Sequence, residues 1–318
     1  MKESEINRRE LLKIGVGAVA AAATVTTVAA ATTAATASYD AFDEPEFNLS
    51  GEPGTIRQEH TLDASVDKVW QALTEPSHLT NWFGIAASVT AGVGGTMRHS
   101  WGEPVIEEST IQVWEPNSRL KVLETTPFGV TFQPSDGPSK TRTVDYKLTP
   151  SGNRTVLKFE HAGFGTSQEW QRFQAVVAGC EVAQVATLGL YTKSHFGEQR
   201  SVSWARVPSS KNYREMWSAL TGAKGILAEG SFKGLSRGDK YSIRAVTGDV
   251  FEGTVVSHIP NKQFAGTVEN MNNSFLRIVL DNPGVTEAGI WLASWGAQPA
   301  ANQTFEWRWT NALQKALN

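Results

Sequence analysis

The chain has 318 residues, 40% of them hydrophobic and 19% charged, with a formal net charge of −3. That length exceeds what one core ordinarily supports and predicts two domains. The charge balance gives no electrostatic support for nucleic acid or an anionic membrane as partner, and the single cysteine, Cys180, excludes a disulfide within the chain.

Residues 1–37 read as an export leader rather than as part of a fold. Arg8 and Arg9 lie in N-R-R-E-L-L-K, which is similar to the twin-arginine export motif, with Leu11 and Leu12 at its apolar positions. An uncharged stretch rich in Ala and Thr covers residues 14–37 and ends A-T-A, a small-residue cleavage pattern before Ser38. An uncleaved signal anchor is the alternative, because the stretch is long enough to span a bilayer as a helix. The motif implies the twin-arginine export machinery as partner of the precursor, and a mature protein in the periplasm or outside the cell. Residues 38–54 are acidic, carry Pro and Gly without periodicity, and read as a linker.

The first folded domain is expected over residues 55–199. I-R-Q-E-H-T-L alternates, which puts Ile56, Gln58, His60 and Leu62 on one face of a strand. Ser65 stands at the N-cap of a helix through Thr74, and Pro76 opens a second short helix to about Phe83. Strands are predicted near 86–90, 95–101, 105–114, 118–126, 141–149 and 154–161, joined by turns such as E-P-N-S and P-S-G-N. A helix from about 167 to 195 follows, with Trp170, Phe173, Val177, Cys180, Leu188 and Tyr191 on one stripe. Strands joined by short turns imply an antiparallel sheet, and one long striped helix must cover a face of it. The fold class is α+β.

The second domain, residues 200–318, repeats the first. V-W-Q-A-L-T at 69–74 returns as M-W-S-A-L-T at 216–221. Thr110, Pro116 and Asn117 fall on Thr254, Pro260 and Asn261 at one constant offset, and Gly165 falls on Gly296 at a smaller one. Two divergent copies of one unit explain this order. In the second copy Tyr241, Ile243 and Ala245 are expected to point inward, and a shorter last helix, about 302–317, carries Phe305, Trp309, Ala312, Leu313 and Ala316. This copy reads as a degenerate scaffold lobe with less room for a cavity.

Residues 61–83, V-G-G-T-M at 93–97, V-W-E-P-N-S-R-L at 113–120 and L-K-F-E-H-A-G-F at 157–164 resemble, in order, the SRPBCC or START-like domains, which include polyketide-cyclase-like proteins. The branch they resemble is the one named for an activator of a heat-shock-protein ATPase. The resemblance implies tandem helix-grip domains, each a curved antiparallel sheet round a long C-terminal helix, with a cavity that in many relatives takes an apolar or amphipathic small molecule. Where the family has Gly-Trp in the last helix, this chain has Gly179-Cys180. An ATP-driven chaperone partner is disfavoured for an exported protein.

Metalloprotease, Walker, Rossmann, C-x-x-C and nucleophile-elbow motifs are missing, and no cofactor or metal is expected. Alternation points His60, His99 and His161 to the interior, beside Ile56 and Leu62, Met97 and Trp101, and Leu157 and Phe159. Gln184 falls on the stripe of the long helix, and Trp82 and Trp101 supply wall. His60, Trp82, His99, Trp101, His161 and Gln184 are therefore the candidate ligand-binding residues, as polar heads in an apolar pocket. Packed core histidines are the competing reading. A protein-interaction module and a cyclase- or hydrolase-type enzyme using an inward histidine compete with simple binding. Convergence of the three histidines on zinc is not expected, since the family strand order keeps them apart.

Overall fold

The computed structural model describes residues 54–101, 106–124, 141–280, 287–296 and 299–318. The expected leader and residues 38–53 of the linker lie outside these. The first half runs β1 (Thr55–Leu62), α1 (Val66–Thr74), α2 (Pro76–Leu79), β2 (Ala86–Val89), β3 (Thr96–Ser100), β4 (Ile106–Glu115), β5 (Arg119–Glu124), β6 (Arg142–Ser151), β7 (Arg154–Ala162) and α3 (Gln168–Ser194). The second runs β8 (Arg200–Pro208), α4 (Tyr213–Thr221), β9 (Leu227–Glu229), β10 (Lys240–Ala245), β11 (Val250–Ile259), β12 (Gln263–Val268), β13 (Ser274–Leu280), β14 (Glu287–Trp295) and α5 (Pro299–Leu317). The short helix expected to reach Phe83 stops at Leu79, and the last helix begins at Pro299, ahead of the expected 302.

Each half makes one seven-stranded antiparallel sheet, ordered β1-β7-β6-β5-β4-β3-β2 and β8-β14-β13-β12-β11-β10-β9. The same order in both is the repeat made visible. It extends to single residues. Asn117 and Asn261 both take the left-handed backbone (φ 61° and 60°), which Asn tolerates better than most residues. Each follows a proline in the turn that closes a hairpin, with Ser118 N–H donating to Glu115 O and Lys262 N–H to Ile259 O, both at 3.0 Å. The register of the hairpin slips between Ile111 and Val113 in one sheet and between Val255 and Ser257 in the other. Such bulges bend a strand and raise its twist, and a curved sheet needs them.

Helix α3 begins at Ser167, whose side chain accepts from Trp170 N at 3.3 Å. The Trp170 ring packs so tightly over Gly165 that a Cβ there would lie 2.0 Å from it, which explains the glycine. The helix crosses the concave face of the first sheet, where Leu120, Leu148, Leu157 and Leu188 meet. Its other side is also covered. Ala265, Phe275, Ala293 and Trp295 of the second sheet's outer face belong to the same apolar cluster. No described residue from Phe173 to Thr192 is exposed. Length and composition would let α3 span a membrane, and here it lies between two sheets.

The expected boundary between residues 199 and 200 falls just before β8. The two halves nonetheless form one compact unit. Under α5 the second core is filled by Phe232, Phe251, Phe264 and Trp309, with the inward-expected Tyr241, Ile243 and Ala245 buried among them. Helix α4, the second copy of the repeated phrase, is capped by Asn212 and Glu215 in a reciprocal capping box.

Candidate functional site

A cavity of about 260 Å³ opens between the first sheet and α3. Apolar wall comes from Leu73 and Leu79 of α1 and α2, from Trp82, Phe83 and Met97, from Leu120, Val122 and Phe159 of the sheet, and from Phe173 and Val177 of α3. The volume falls just below the range of about 300–1,000 Å³ typical of small-molecule clefts.

Of the residues expected to bind a ligand, Trp82, His99, Trp101, His161 and Gln184 all line this cavity, and His60 does not. His60 faces inward but sits at the wrong level. It pairs across the sheet with Leu157, whose own partner on β6 is Leu148, a row closed by side chains packed under α3. The cavity lies nearer the row in which His161 pairs with Ile56. His60 Nε2 contacts Gln58 Oε1 at 2.8 Å, and burial, then the charge of Arg237, hold its pKa down to about 4. The three histidines do not converge, and the described residues contain no cluster of ligands fit for a metal.

His161 is the centre of a buried ionic network. Its Nδ1 lies 2.5 Å from Glu181 Oε1 of α3, and its Nε2 lies 3.6 Å from Glu124 Oε1 of β5. The second distance is an ion-pair contact beyond hydrogen-bond reach. Glu124 is held from its other side by Arg142, with Nε donating to Oε2 at 2.7 Å. Burial works against a charged His161, but Glu181 and Glu124 outweigh it and push its pKa up to about 9. Burial likewise opposes ionised Glu124, but His161 and Arg142 overcome it and bring that carboxyl down to about 2. Glu181 moves upward, because burial exceeds the attraction of His161. The network pins helix to sheet and balances most of its own charge.

His99 and Glu107 have the opposite character. They are direct cross-strand partners on β3 and β4, and both line the cavity. His99 is buried, packs edge-on against Phe83 with ring centroids 4.8 Å apart, and its Nδ1 has no partner among the described residues. Burial lowers its pKa to about 4, so the ring is neutral. Burial, and then the negative charge of Glu124, raise Glu107 to about 8, so its carboxyl carries a proton at neutral pH. A neutral acceptor thus stands beside a neutral donor on the cavity wall.

Glu107, Glu124 and Glu181 were absent from the sequence-based candidates, although a signal existed. Glu107 and Ser109 alternate onto the face of buried Ile111, and Glu124 onto that of Leu120 and Val122. Glu181 is four after Val177 on the helix stripe. More surprising is the far wall. Trp204, Arg206, Arg277, Val279 and Glu287 of the second half complete the cavity. They project from the outer face of the second sheet, a placement that no repeat analysis predicts.

The family model for activator of Hsp90 ATPase homolog 1-like protein matches residues 63–183. No curated protein matches the chain. Among solved structures the chain is similar to a protein from Mesorhizobium loti (21% identity, covering 42% of this chain and 93% of that one, TM-score 0.37). It is similar to the Aha1 dimer from Colwellia psychrerythraea (18%, 44% and 96%, TM-score 0.37). Over both halves it is similar to BexL, a di-domain ARO/CYC from the BE-7585A biosynthetic pathway (14%, 83% and 96%, TM-score 0.38). The first domain, with its sheet wrapped round α3, thus has the SRPBCC-type helix-grip fold and matches the Hsp90-ATPase-activator-like family model over residues 63–183, and the second sheet repeats its topology.

Proposed function

We propose that the protein is an exported binder of a small, mostly apolar molecule, held in the cavity of the first domain with a hydrogen-bonding group turned to His99 and Glu107. The observation that carries this reading is the unpartnered Nδ1 of buried His99, which lines the cavity beside the rings of Phe83 and Trp101. A buried polar atom without a partner costs about 1–3 kcal/mol, and a ligand group that meets it recovers that cost. The His161 network does not serve as the ligand's head, because its charges are largely spent on one another.

His99→Leu tests this. The substitution removes an unsatisfied nitrogen and adds apolar area, so the denaturant midpoint should hold or rise. Affinity for the neutral probe 2-naphthol, whose hydroxyl can donate to that nitrogen, read by tryptophan quenching, should fall by roughly tenfold. A destabilised variant with unchanged affinity would return His99 to the role of a packed core residue.

Export rests on the N-R-R-E-L-L-K motif. Replacing Arg8 and Arg9 by Lys should leave the precursor in the cytoplasm, and unchanged export on cell fractionation would refute the twin-arginine reading.

A proton-transfer enzyme is the second reading. It draws on the neutral imidazole beside the protonated carboxyl, the arrangement in which one group accepts a proton while its neighbour supplies one. Enzyme-dependent exchange of the methyl-ketone hydrogens of 2-acetylnaphthalene into D2O would favour it. Saturable binding with no exchange leaves the binder.

A further inference from the structure

Arg277 lies on β13, on the sheet face that meets α3, and lines the cavity. Its sheet neighbours are Ala265 and Trp291, so its surroundings on the sheet are apolar. All its hydrogen bonds go to neutral acceptors. Nε and Nη2 donate to Gln263 Oε1 at 3.1 and 2.8 Å, and Nη2 approaches Cys180 Sγ at 2.8 Å. Among the described residues it forms no ion pair with a carboxylate. A half-buried guanidinium without a counter-ion is uncommon, because a charge taken from water is ordinarily paired.

Its orientation is fixed as well. Gln263 grips the guanidinium with its carbonyl oxygen, while its own amide nitrogen donates to Gly179 O of α3 at 3.1 Å and approaches Ser257 Oγ at 3.3 Å. The cation is therefore aimed before any ligand arrives, which lowers the cost of binding. Arg206, also on the cavity wall, stacks on Trp204 at 4.0 Å, and its contact with Glu287 is long, at 3.8 Å. The carboxylates of the first domain do not neutralise this wall. Glu124 and Glu181 face His161, and Glu107 lies across the sheet beside His99.

We infer that the second domain reads the ligand: Arg277, seconded by Arg206, receives a carboxylate on a molecule whose apolar body fills the cavity of the first domain. The ligand class is then an aryl or alkyl carboxylate of modest size, and the outer face of the second sheet is part of the binding site. The inference rests on the cavity reading above. Nη1, which none of these bonds uses, is the donor left for a carboxylate oxygen, and hydrogen bonds to charged groups are worth more than neutral ones.

The test compares two probes of nearly equal size, 2-naphthoate and neutral 2-acetylnaphthalene, on the full chain by calorimetric titration. The wild type should prefer 2-naphthoate by roughly tenfold or more. Arg277→Gln should abolish that preference, weakening 2-naphthoate far more than 2-acetylnaphthalene. Arg277→Lys, which keeps the charge, should retain part of it. The wild-type preference alone decides the matter if Arg277→Gln fails to fold. Equal affinity for the two probes in the wild type, or an equal loss of both in Arg277→Gln, overturns the carboxylate inference and leaves the cavity reading standing. If neither probe binds, both fall.

Discussion

His99 and His161 line one cavity and occupy opposite electrostatic settings. His161 is clamped between two carboxylates, and one of them, Glu181, has no other cation among the described residues. His161→Leu leaves Glu181 without its cation and Glu124 with Arg142 alone, and should cost about 3–5 kcal/mol, the usual penalty for breaking a buried pair from one side. The same network sets a pH dependence. His161 binds its proton up to about pH 9 when folded, against 6.5 when unfolded. Its contribution is complete below pH 6.5 and disappears as pH rises through 9. Glu107, raised from 4.5 to about 8, also holds a proton longer when folded, so stability falls further between those values. Glu124, lowered to about 2, contributes above pH 4.5 and loses that contribution as pH falls through 2. Denaturant midpoints should therefore decline from neutrality to pH 9. Glu107→Gln should remove the part that ends near pH 8. A flat profile across that window would contradict the assigned charges.

At the scale of elements, α3 carries the fold by being buried on two sides. Its sequence shows one stripe plainly, because Trp170, Phe173, Val177, Leu188 and Tyr191 are large and recur at helical spacing. The second buried side is written in small residues at four-residue spacing, Gly179, Ala183 and Thr187, which do not announce a partner. Strand alternation told the same kind of partial truth. It set His60, His99 and His161 on the inner face, but a period of two says nothing about level along the strand, and level decides which of them reaches the cavity. The clamp between α3 and the second sheet centres on Trp295. Its ring stacks on His195 with centroids 4.4 Å apart and 3° between planes, and its Nε1 donates to Asn81 O at 3.2 Å. Trp295→Ala should cost about 3–5 kcal/mol, the range for emptying a large buried aromatic site. Hydrogen exchange should show α3 opening ahead of the second core. Uniform protection loss across both halves would mean that the clamp is not local.

For the whole molecule, duplication produced one topology put to two uses. The outer face of the first sheet is charged, with pairs such as Arg57–Glu160 and Lys158–Glu59. That face suits water. The outer face of the second sheet carries Ala265, Phe275, Ala293 and Trp295 and covers α3. The repeat itself was legible, down to the prolines and asparagines of one turn, because turn chemistry constrains residue type strongly. The docking was not, since a face apolar enough to be buried looks the same whether its partner is its own helix or the neighbouring domain's. Filled with Phe251, Phe264 and Trp309, the second core has become a scaffold that presents Arg277 and Trp204 to the first.

The central claim is that a small apolar molecule lodges between the first sheet and α3. Titrating the labelled full chain with 2-acetylnaphthalene and following amide and indole resonances by NMR tests it most directly. The account predicts saturable shifts concentrated at Trp82, His99, Trp101, Phe159 and Gln184, with Trp204 responding from the second domain. Shifts confined to the outer face of the first sheet, or no saturable shift at any site, would contradict it.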